Sequence, residues 1–335
     1  PTLGKGHIAA VAVLPDGSVA EFGTLLDGIP SSYLRRRTPA GDWTVPDDFQ
    51  LLPDAPCKAI DLGVSPDGAL YMLADRECMQ DLSWWLGRSQ KFGAPPTNLR
   101  WGSPGEKAYA LAMHPKKAAV CGTQPAAKGD IQATAWVYGF DDPGSTLTFN
   151  YKIGMLMETY QETPRDCAYR GEVLVLVGEV HGKHAPEEPN LPPLDRLFIL
   201  EADPTLANPV WIVDGAPKEL IQSSARALTI DDQGRTLIGN YVCGSPCNAT
   251  SSEIRVYEPG GALKWKMPLA PTVGVPEDLA WSPAGYAVVV TANDLGDWSS
   301  SFFVQAWKPF NSPAVWSYTK NVAPTRIGTW ISAAA

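Results

Sequence analysis

The chain has 335 residues, a formal net charge of −9 at pH 7 and 19% charged residues, fewer than the roughly 25% of typical soluble domains. The excess of acidic residues makes a nucleic-acid phosphate backbone an unfavourable partner, so we expect no nucleic-acid binding. No apolar run approaches the roughly 18 residues that a membrane helix requires, and we expect no membrane span in the given chain.

A short sequence pattern, an apolar strand followed by a turn, recurs along the chain. Its copies start at residues 10, 61, 110, 166, 227 and 278, which are 51, 49, 56, 61 and 51 residues apart. The first two copies end in Pro15-Asp16-Gly17 and Pro66-Asp67-Gly68, where Pro presets φ and Gly accepts a positive φ. A period of about fifty residues with four strand-like runs per unit is typical of a β-propeller. We therefore predict an all-β fold, a six-bladed β-propeller of four-stranded antiparallel blades, with seven blades as the alternative.

The predicted propeller forms a single domain over residues 1–335. Its blades cover approximately 7–56, 57–105, 106–164, 165–223, 224–275 and 276–335. Short runs of β-branched and aromatic residues, interrupted by turn residues, predict the strands. Segments 155–163 and 217–222 are candidates for short helices. A last strand-like run, 325–331, either closes the ring or marks a degenerate seventh blade.

This pattern resembles bacterial β-propellers of the WD-repeat-like and NHL-like type, in which strand–Pro-Asp-Gly–strand units recur. The resemblance covers essentially the whole chain and is architectural, because propellers include binding modules and unrelated enzymes alike. WD dipeptides are absent from their usual repeat position, since Trp43 follows Asp42. Gluconolactonase and senescence-marker propellers hold a divalent metal with a Glu, an Asn and two Asp residues, a set that has no residue-by-residue match here.

Charged residues are concentrated where each repeat enters its first strand. In a propeller these strands line the central channel, so ring symmetry is expected to bring their entry points to one end of it. The predicted binding residues are Lys58, Asp61, Lys107, Arg165, Asp166, Arg226, Glu277 and Asp278. Mixed charges converging on a channel suit a polar ligand. The alternative is that these charges pair with one another, as buried charges normally do.

Three tryptophans flank the loops expected on the same face: Trp84, Trp85 and Trp298. Exposed aromatic side chains there would suit a sugar or a protein partner, and core packing is the alternative.

Candidate metal ligands are His181, His184, Asp294 and Asp297. Imidazoles near carboxylates can hold zinc, but Lys183 disfavours a cation and a solvated loop is the alternative. The Asp residues resemble a fragment of a calcium loop without the Glu that such a loop requires. No cofactor is otherwise expected, although calcium or zinc remains an option. No nucleophile motif is present, and we assign no catalytic residue.

The six cysteines are an even number and include no Cys-x-x-Cys pair, which favours disulfides over free buried thiols. The blade register suggests the pairs Cys57–Cys78, Cys121–Cys167 and Cys243–Cys247. Together with a start at Pro1 rather than Met, this indicates a processed protein that is periplasmic, secreted or on the cell surface, where a lipoprotein anchor is one option.

We therefore predict an exported, non-catalytic propeller that binds a protein partner or cell-surface component through its long-loop face. The alternative is a metal-assisted hydrolase or lactonase with carboxylates at the channel mouth. A structural domain of a larger surface assembly is a third option.

Overall fold

A computed structural model of the chain describes residues 6–25, 30–40, 49–52, 58–76, 84–126, 131–140, 146–150, 159–182, 194–202, 210–213, 221–244, 250–269, 274–294, 300–308, 310 and 314–322. Every regular element in these ranges is a β-strand, which confirms the all-β class. The helical prediction is wrong for 159–163 and 221–222, because both segments pair with neighbouring strands. Residues 155–158, 217–220 and 325–331 lie outside the described ranges.

Four sheets contain four antiparallel strands each. The first comprises β1 (Gly6–Val13), β2 (Val19–Leu25), β3 (Ser31–Arg37) and β4 (Phe49–Leu51). The second comprises β5 (Lys58–Val64), β6 (Leu70–Asp75), β7 (Trp84–Ser89) and β8 (Thr97–Trp101).

A longer sheet follows in the middle of the chain. It comprises β9 (Lys107–His114), β10 (Lys117–Pro125), β11 (Ile131–Gly139), β12 (Thr146–Asn150), β13 (Thr159–Arg170), β14 (Val173–Gly182), β15 (Leu194–Ala202) and β16 (Val210–Val213).

The last two sheets again have four strands each. One comprises β17 (Ile221–Ile230), β18 (Thr236–Gly244), β19 (Thr250–Tyr257) and β20 (Leu263–Pro268). The other comprises β21 (Val275–Ser282), β22 (Tyr286–Asp294), β23 (Ser300–Trp307) and β24 (Trp316–Val322).

The predicted number of blades is wrong. The described strands form five sheets, not six or seven, because the middle sheet contains eight strands in the order β16-β15-β14-β13-β11-β10-β9, with β12 also paired to β11. Its two halves join where Ile131 of β11 pairs in parallel with Gln161 of β13. Close to this junction the buried Glu162 side chain accepts a hydrogen bond from the Ala133 amide at 3.2 Å. The strand–turn repeat marks hairpins, and it carries no information about this parallel contact.

The chain divides into two compact units. The first covers residues 1–124, 134–149 and 330–334, and the second covers 125–133, 150–329 and 335. In the first unit, Trp84 and Trp85 point to opposite faces of β7, as consecutive strand residues do, and enter two different core clusters. In the second unit, Val175 and Val177 pack with Ile238, while Val256 packs with Val289. The cores are thus built between neighbouring sheets, from the alternate apolar residues of their strands.

The two Pro-Asp-Gly sequences form the tight turns that were predicted for them. Gly17 has a φ of 78° and Gly68 a φ of 82°. Residues other than glycine rarely adopt this backbone conformation. Asp16 accepts a hydrogen bond from the Ser18 amide at 2.9 Å and forms an ion pair with Arg36 at 3.0 Å. These tight turns connect the first and second strands at the end opposite the strand entries.

Candidate functional site

Each repeat carries a β-bulge in its first hairpin. The pairing of the two strands skips one residue between Ile8 and Ala10, and the same shift recurs in the other five repeats. The residues skipped at this shared position are Ala9, Ile60, Tyr109, Arg165, Arg226 and Glu277, and the β13–β14 hairpin has a second shift at Tyr160. A bulge leaves its extra residue without a cross-strand partner and changes the direction of its side chain, which is why bulges are frequent next to functional sites.

The residue types at these bulges differ between the two units. The first unit has Ala9, Ile60 and Tyr109, whereas the second unit has three charged residues from β13, β17 and β21. These strands are neighbours, since β17 contacts both β13 and β21. The second unit therefore has charged residues at the bulges of three neighbouring first strands. We call Arg165, Arg226 and Glu277, with Glu179 and Ser224 beside them, the bulge cluster.

One arginine of the bulge cluster is held by an acidic partner. The Arg165 guanidinium donates through Nε to Glu179 Oε1 at 3.0 Å, and a second nitrogen of the same group contacts the same oxygen. The other Glu179 oxygen accepts a hydrogen bond from Ser224 Oγ. Glu179 lies on β14 and Ser224 on β17, so this group connects two sheets. The pairing compensates the charge of Arg165 and holds its side chain in place.

Glu277 is the group of the cluster that titrates near neutral pH. Burial is the largest effect and raises its pKa to about 7, because a low-polarity environment disfavours the charged form. The positive charges of Arg226 and Arg165 act in the opposite direction, and the neighbouring Asp278 raises the pKa further. Near pH 7 the cluster therefore contains a carboxyl group that is present in both protonation states.

Arg226 has an unused hydrogen-bond donor. Its Nε is buried and has no hydrogen-bond partner among the described residues, while the side chain as a whole is half-buried. A buried donor without a partner is unfavourable by about 1–3 kcal/mol. The positive charge of Arg226 lowers the pKa of Glu277, against the larger effect of burial. The bulge cluster thus contains a hydrogen-bond donor and a carboxyl group with a pKa of about 7, on the contacting strands β17 and β21.

The aspartates predicted for the site are engaged by backbone amides. Asp61 accepts hydrogen bonds from Leu62 N and Leu111 N, each at 2.7 Å, so it connects β5 to β9. Asp166 accepts from Cys167 N at 2.7 Å and from Leu228 N at 2.6 Å, and connects β13 to β17 in the same way. These bonds give the recurring aspartate a structural role, and its role in ligand binding stays a prediction.

Asp278, the third of these aspartates, accepts a hydrogen bond from the Leu279 amide at 2.7 Å. Lys58 and Lys107 are exposed and begin β5 and β9 in the first unit. Sequence reasoning thus identified Arg165, Arg226 and Glu277 but did not find the bulges or the partners Glu179 and Ser224. The residue before each repeat start, which changes from apolar or aromatic to charged after the third copy, is the signal that could have revealed the bulge positions.

The tryptophans predicted near the loops are core residues where they are described. Trp84 and Trp85 are each 1% exposed, and the Trp84 ring packs against Trp136 with centroids 4.8 Å apart. Trp85 donates through Nε1 to Asn98 at 2.7 Å. Trp298 lies outside the described residues. Trp84 and Trp85 are therefore packed in the core, and their ring faces are covered.

Only one of the four metal candidates, His181, has a described side chain. His181 is half-buried in β14, Asp294 ends β22 with its side chain undescribed, and His184 and Asp297 lie outside the described residues. Among the residues that can be searched, no three His, Cys, Asp or Glu side chains form a group that could hold a metal ion. Metal binding by these four residues stays a prediction.

One predicted disulfide is confirmed, the bond between Cys121 and Cys167. No cysteine in the described ranges is free. Cys243 belongs to β18 with its side chain undescribed, and Cys57, Cys78 and Cys247 lie outside these ranges, so the other two pairs stay predictions. No helix in the described part of the chain is long and apolar enough to cross a membrane.

Comparison with known proteins shows the fold. No protein-family model and no curated protein matches the sequence. Among solved structures, the β-propeller domain of the Trilobed protease from Pyrococcus furiosus has a TM-score of 0.53 and 11% identity, over 96% of this chain and 86% of that one. A polysaccharide lyase of family PL25, an ulvan lyase, has a TM-score of 0.54 and 8% identity, over 91% of this chain and 83% of that one.

A third similar structure is the acylaminoacyl peptidase of Pyrococcus horikoshii, with a TM-score of 0.52 and 10% identity over 93% of this chain and 47% of that one. At such low identity the likeness shows a β-propeller fold and no function, and it does not distinguish the WD-repeat-like from the NHL-like type. Two of the three similar proteins are peptidases or parts of them, and one is a lyase.

Proposed function

We propose that the protein is an exported, non-catalytic β-propeller that binds a polar component of the cell surface at the bulge cluster. The observation that carries this proposal is the change of residue type at the six bulges, from Ala9, Ile60 and Tyr109 to Arg165, Arg226 and Glu277. A purely structural bulge has no need of a charged residue, and three neighbouring bulges with charged residues suit the polar groups of a binding site.

The state of the two arginines supports a binding role. Arg165 is compensated by Glu179, whereas the buried Nε of Arg226 has no partner among the described residues. Buried polar groups in folded proteins are nearly always hydrogen-bonded, and an exception calls for an explanation. A ligand that accepts a hydrogen bond from Arg226 provides one.

The disulfide supports the proposed extracytoplasmic location. Cys121 and Cys167 are bonded to each other, and structural disulfides persist in oxidising compartments such as the periplasm and the cell exterior. The protein as proposed needs no cofactor. Metal analysis of the purified protein tests the alternative of a metal-assisted hydrolase or lactonase.

Binding to arrayed cell-surface oligosaccharides, both acidic and neutral, tests the proposed function. We expect a ligand whose affinity falls at least tenfold in Arg226→Gln, since the change removes the cation and the unpartnered donor. Arg36→Gln is the matched control, because Arg36 is also a half-buried arginine whose Nε has no partner among the described residues. Its terminal nitrogen, however, is paired with Asp16 in the first unit, away from the bulge cluster. Equal binding by both variants, or no binding to any saccharide by the unmodified protein, would contradict the proposal.

Acid–base catalysis is a second candidate function. A general acid or base is most effective when its pKa lies near the working pH, and Glu277 with its pKa of about 7 meets this condition. The similar solved structures include a polysaccharide lyase and a peptidase. Cleavage of the bound saccharide by the unmodified protein, abolished in Glu277→Gln, would replace the non-catalytic proposal by this one.

A further inference from the structure

We propose that the bulge cluster binds the carboxylate of a sugar acid, with Arg226 as its cationic partner, and that Glu277 takes up a proton as the ligand enters. The inference rests on the proposed function, because it names the ligand class of the same site. Its geometric basis is the equivalent position of the three charged bulge residues on the contacting strands β13, β17 and β21, with Glu179 bound to both Arg165 and Ser224.

The charge balance of the cluster favours a monoanion. The groups that act on one another are the two guanidinium groups of Arg165 and Arg226 and the carboxylates of Glu179, Glu277 and Asp278. When all are ionised the net charge is −1, and protonation of Glu277 brings it to zero. A bound carboxylate then brings the net charge back to −1, the value of the ionised cluster without a ligand. A phosphate dianion would leave −2, so the balance favours a monoanion, the charge of a carboxylate.

Arg226 is the arginine that remains available to the ligand. Arg165 already directs its Nε and a terminal nitrogen at Glu179. Arg226 retains a buried Nε without a partner among the described residues. The planar edge of a guanidinium group matches the two oxygens of a carboxylate, and such paired bonds are among the strongest hydrogen bonds in proteins.

Glu277 makes binding depend on pH. Ionised, it competes with the ligand for the positive charge of Arg226, and the two carboxylates repel one another. Protonated, it no longer repels the ligand and can donate a hydrogen bond to it. Its pKa is raised to about 7 by burial, with Arg226, Arg165 and Asp278 as the other charged groups that act on it. Proton uptake near neutral pH is therefore within its range.

Ser224 and Glu179 indicate that the acid also carries hydroxyl groups. Ser224 Oγ donates its proton to Glu179, which leaves the hydroxyl oxygen as an acceptor. A ligand hydroxyl can donate to this oxygen or to the carboxylate of Glu179. A sugar acid supplies a carboxylate and hydroxyl groups on one rigid ring, whereas a simple fatty acid supplies the carboxylate alone.

Calorimetry with trigalacturonate, compared with its fully methyl-esterified form, tests the inference at pH 6 and pH 8. We expect the acid to bind about tenfold more weakly at pH 8, where a carboxyl group with a pKa near 7 is mostly ionised, and to take up about one proton there. Repeating the pH 8 titration in buffers of different ionisation enthalpy measures that proton. The ester should not bind detectably.

Three variants separate the parts of the inference. Glu277→Gln should bind the acid with the same affinity at both pH values, because the amide imitates the protonated carboxyl group. Arg226→Gln should bind the acid at least tenfold more weakly than the unmodified protein at both pH values. Glu258→Gln removes a carboxylate that pairs with Lys264 outside the cluster, and it should retain the pH dependence of the unmodified protein.

The outcomes distinguish this inference from the proposed function. If the ester binds as well as the acid, or if binding does not depend on pH, the carboxylate inference is wrong, while a loss in Arg226→Gln still supports binding at the cluster. If Arg226→Gln binds like the unmodified protein, both are wrong. A peptide rich in Asp and Glu that binds where trigalacturonate does not would overturn the assignment to a sugar acid.

Discussion

Glu277 couples folding to protonation through a single carboxyl group. Burial raises its pKa from the usual 4.5 to about 7. Between these values the folded protein binds the proton more tightly than the unfolded chain does, so the free energy of unfolding falls as the pH rises through this range. Above pH 7 the folded state contains a charge that its environment disfavours. The Glu277 carboxyl group is thus expected to be destabilising at alkaline pH.

Replacing Glu277 by glutamine should make this effect visible. We expect Glu277→Gln to raise the free energy of unfolding at pH 8 by on the order of 1–3 kcal/mol, because the amide cannot acquire the charge. The gain should shrink at about pH 5, where the carboxyl group is protonated in the folded state. Urea unfolding at both pH values measures it. A gain of equal size at the two pH values would show that the carboxylate is not the cause.

The residues of the cluster were predictable from the sequence to a limited extent. Arg165, Arg226 and Glu277 could be identified because charged residues recur at the strand entries. Their common position in bulges could not be predicted, because a bulge is defined by the pairing with the partner strand. A one-residue offset in that pairing hardly changes the amino-acid composition of the strand. Glu179 and Ser224 lie within strands with the ordinary alternation of side chains, and no motif distinguishes them.

Neighbouring first strands are connected by recurring aspartates. Asp61 connects β5 to β9, and Asp166 connects β13 to β17, each by accepting two backbone amides. The bulge beside each aspartate offsets the register of its own hairpin. The carboxylate thus satisfies amide groups, one on its own strand and one on the next, and holds adjacent strands at a fixed offset.

Asp61→Asn and Asp166→Asn should each lower the free energy of unfolding by about 1–3 kcal/mol. An amide has one acceptor oxygen in place of two, so one backbone amide would face an NH₂ group and lose its hydrogen bond. Chemical denaturation measures the loss for each variant. The control is Asp232→Asn at an exposed turn position, with an expected change within about 0.5 kcal/mol. A loss no larger than that of the control would mean that these bonds contribute little.

At the scale of the whole molecule, the repeat predicted the hairpins but not how the sheets join. The strand–turn phrase recurs because local residue patterns specify strands and Pro-Asp-Gly specifies turns. The junction of Ile131 with Gln161 depends on a contact between strands of different repeats. No residue type signals such a parallel pair, which is why the predicted blade number is wrong. Cys121 and Cys167, by contrast, were correctly paired from their positions in the repeat.

Removal of this disulfide should destabilise the protein. We expect Cys121→Ser/Cys167→Ser to lower the free energy of unfolding by about 2–4 kcal/mol, since the cross-link restricts the unfolded chain. Denaturant unfolding of oxidised proteins measures the difference. The effect of a reductant should be smaller in the double variant than in the unmodified protein, because one of the bonds it can reduce is already missing. If the reductant destabilises both proteins equally, the bond does not form in solution.

The bulges also bear on how such a protein can change during evolution. A residue in a regular strand position must fit its cross-strand neighbour and the packing of one sheet face, so few replacements are tolerated. The extra residue of a bulge has no cross-strand neighbour to match. In the described first hairpins, six equivalent bulge positions hold residues as different as Ala9, Tyr109 and Glu277 on the same backbone pattern. The scaffold can therefore acquire, lose or exchange recognition chemistry one repeat at a time while its hydrogen-bonded framework is inherited unchanged.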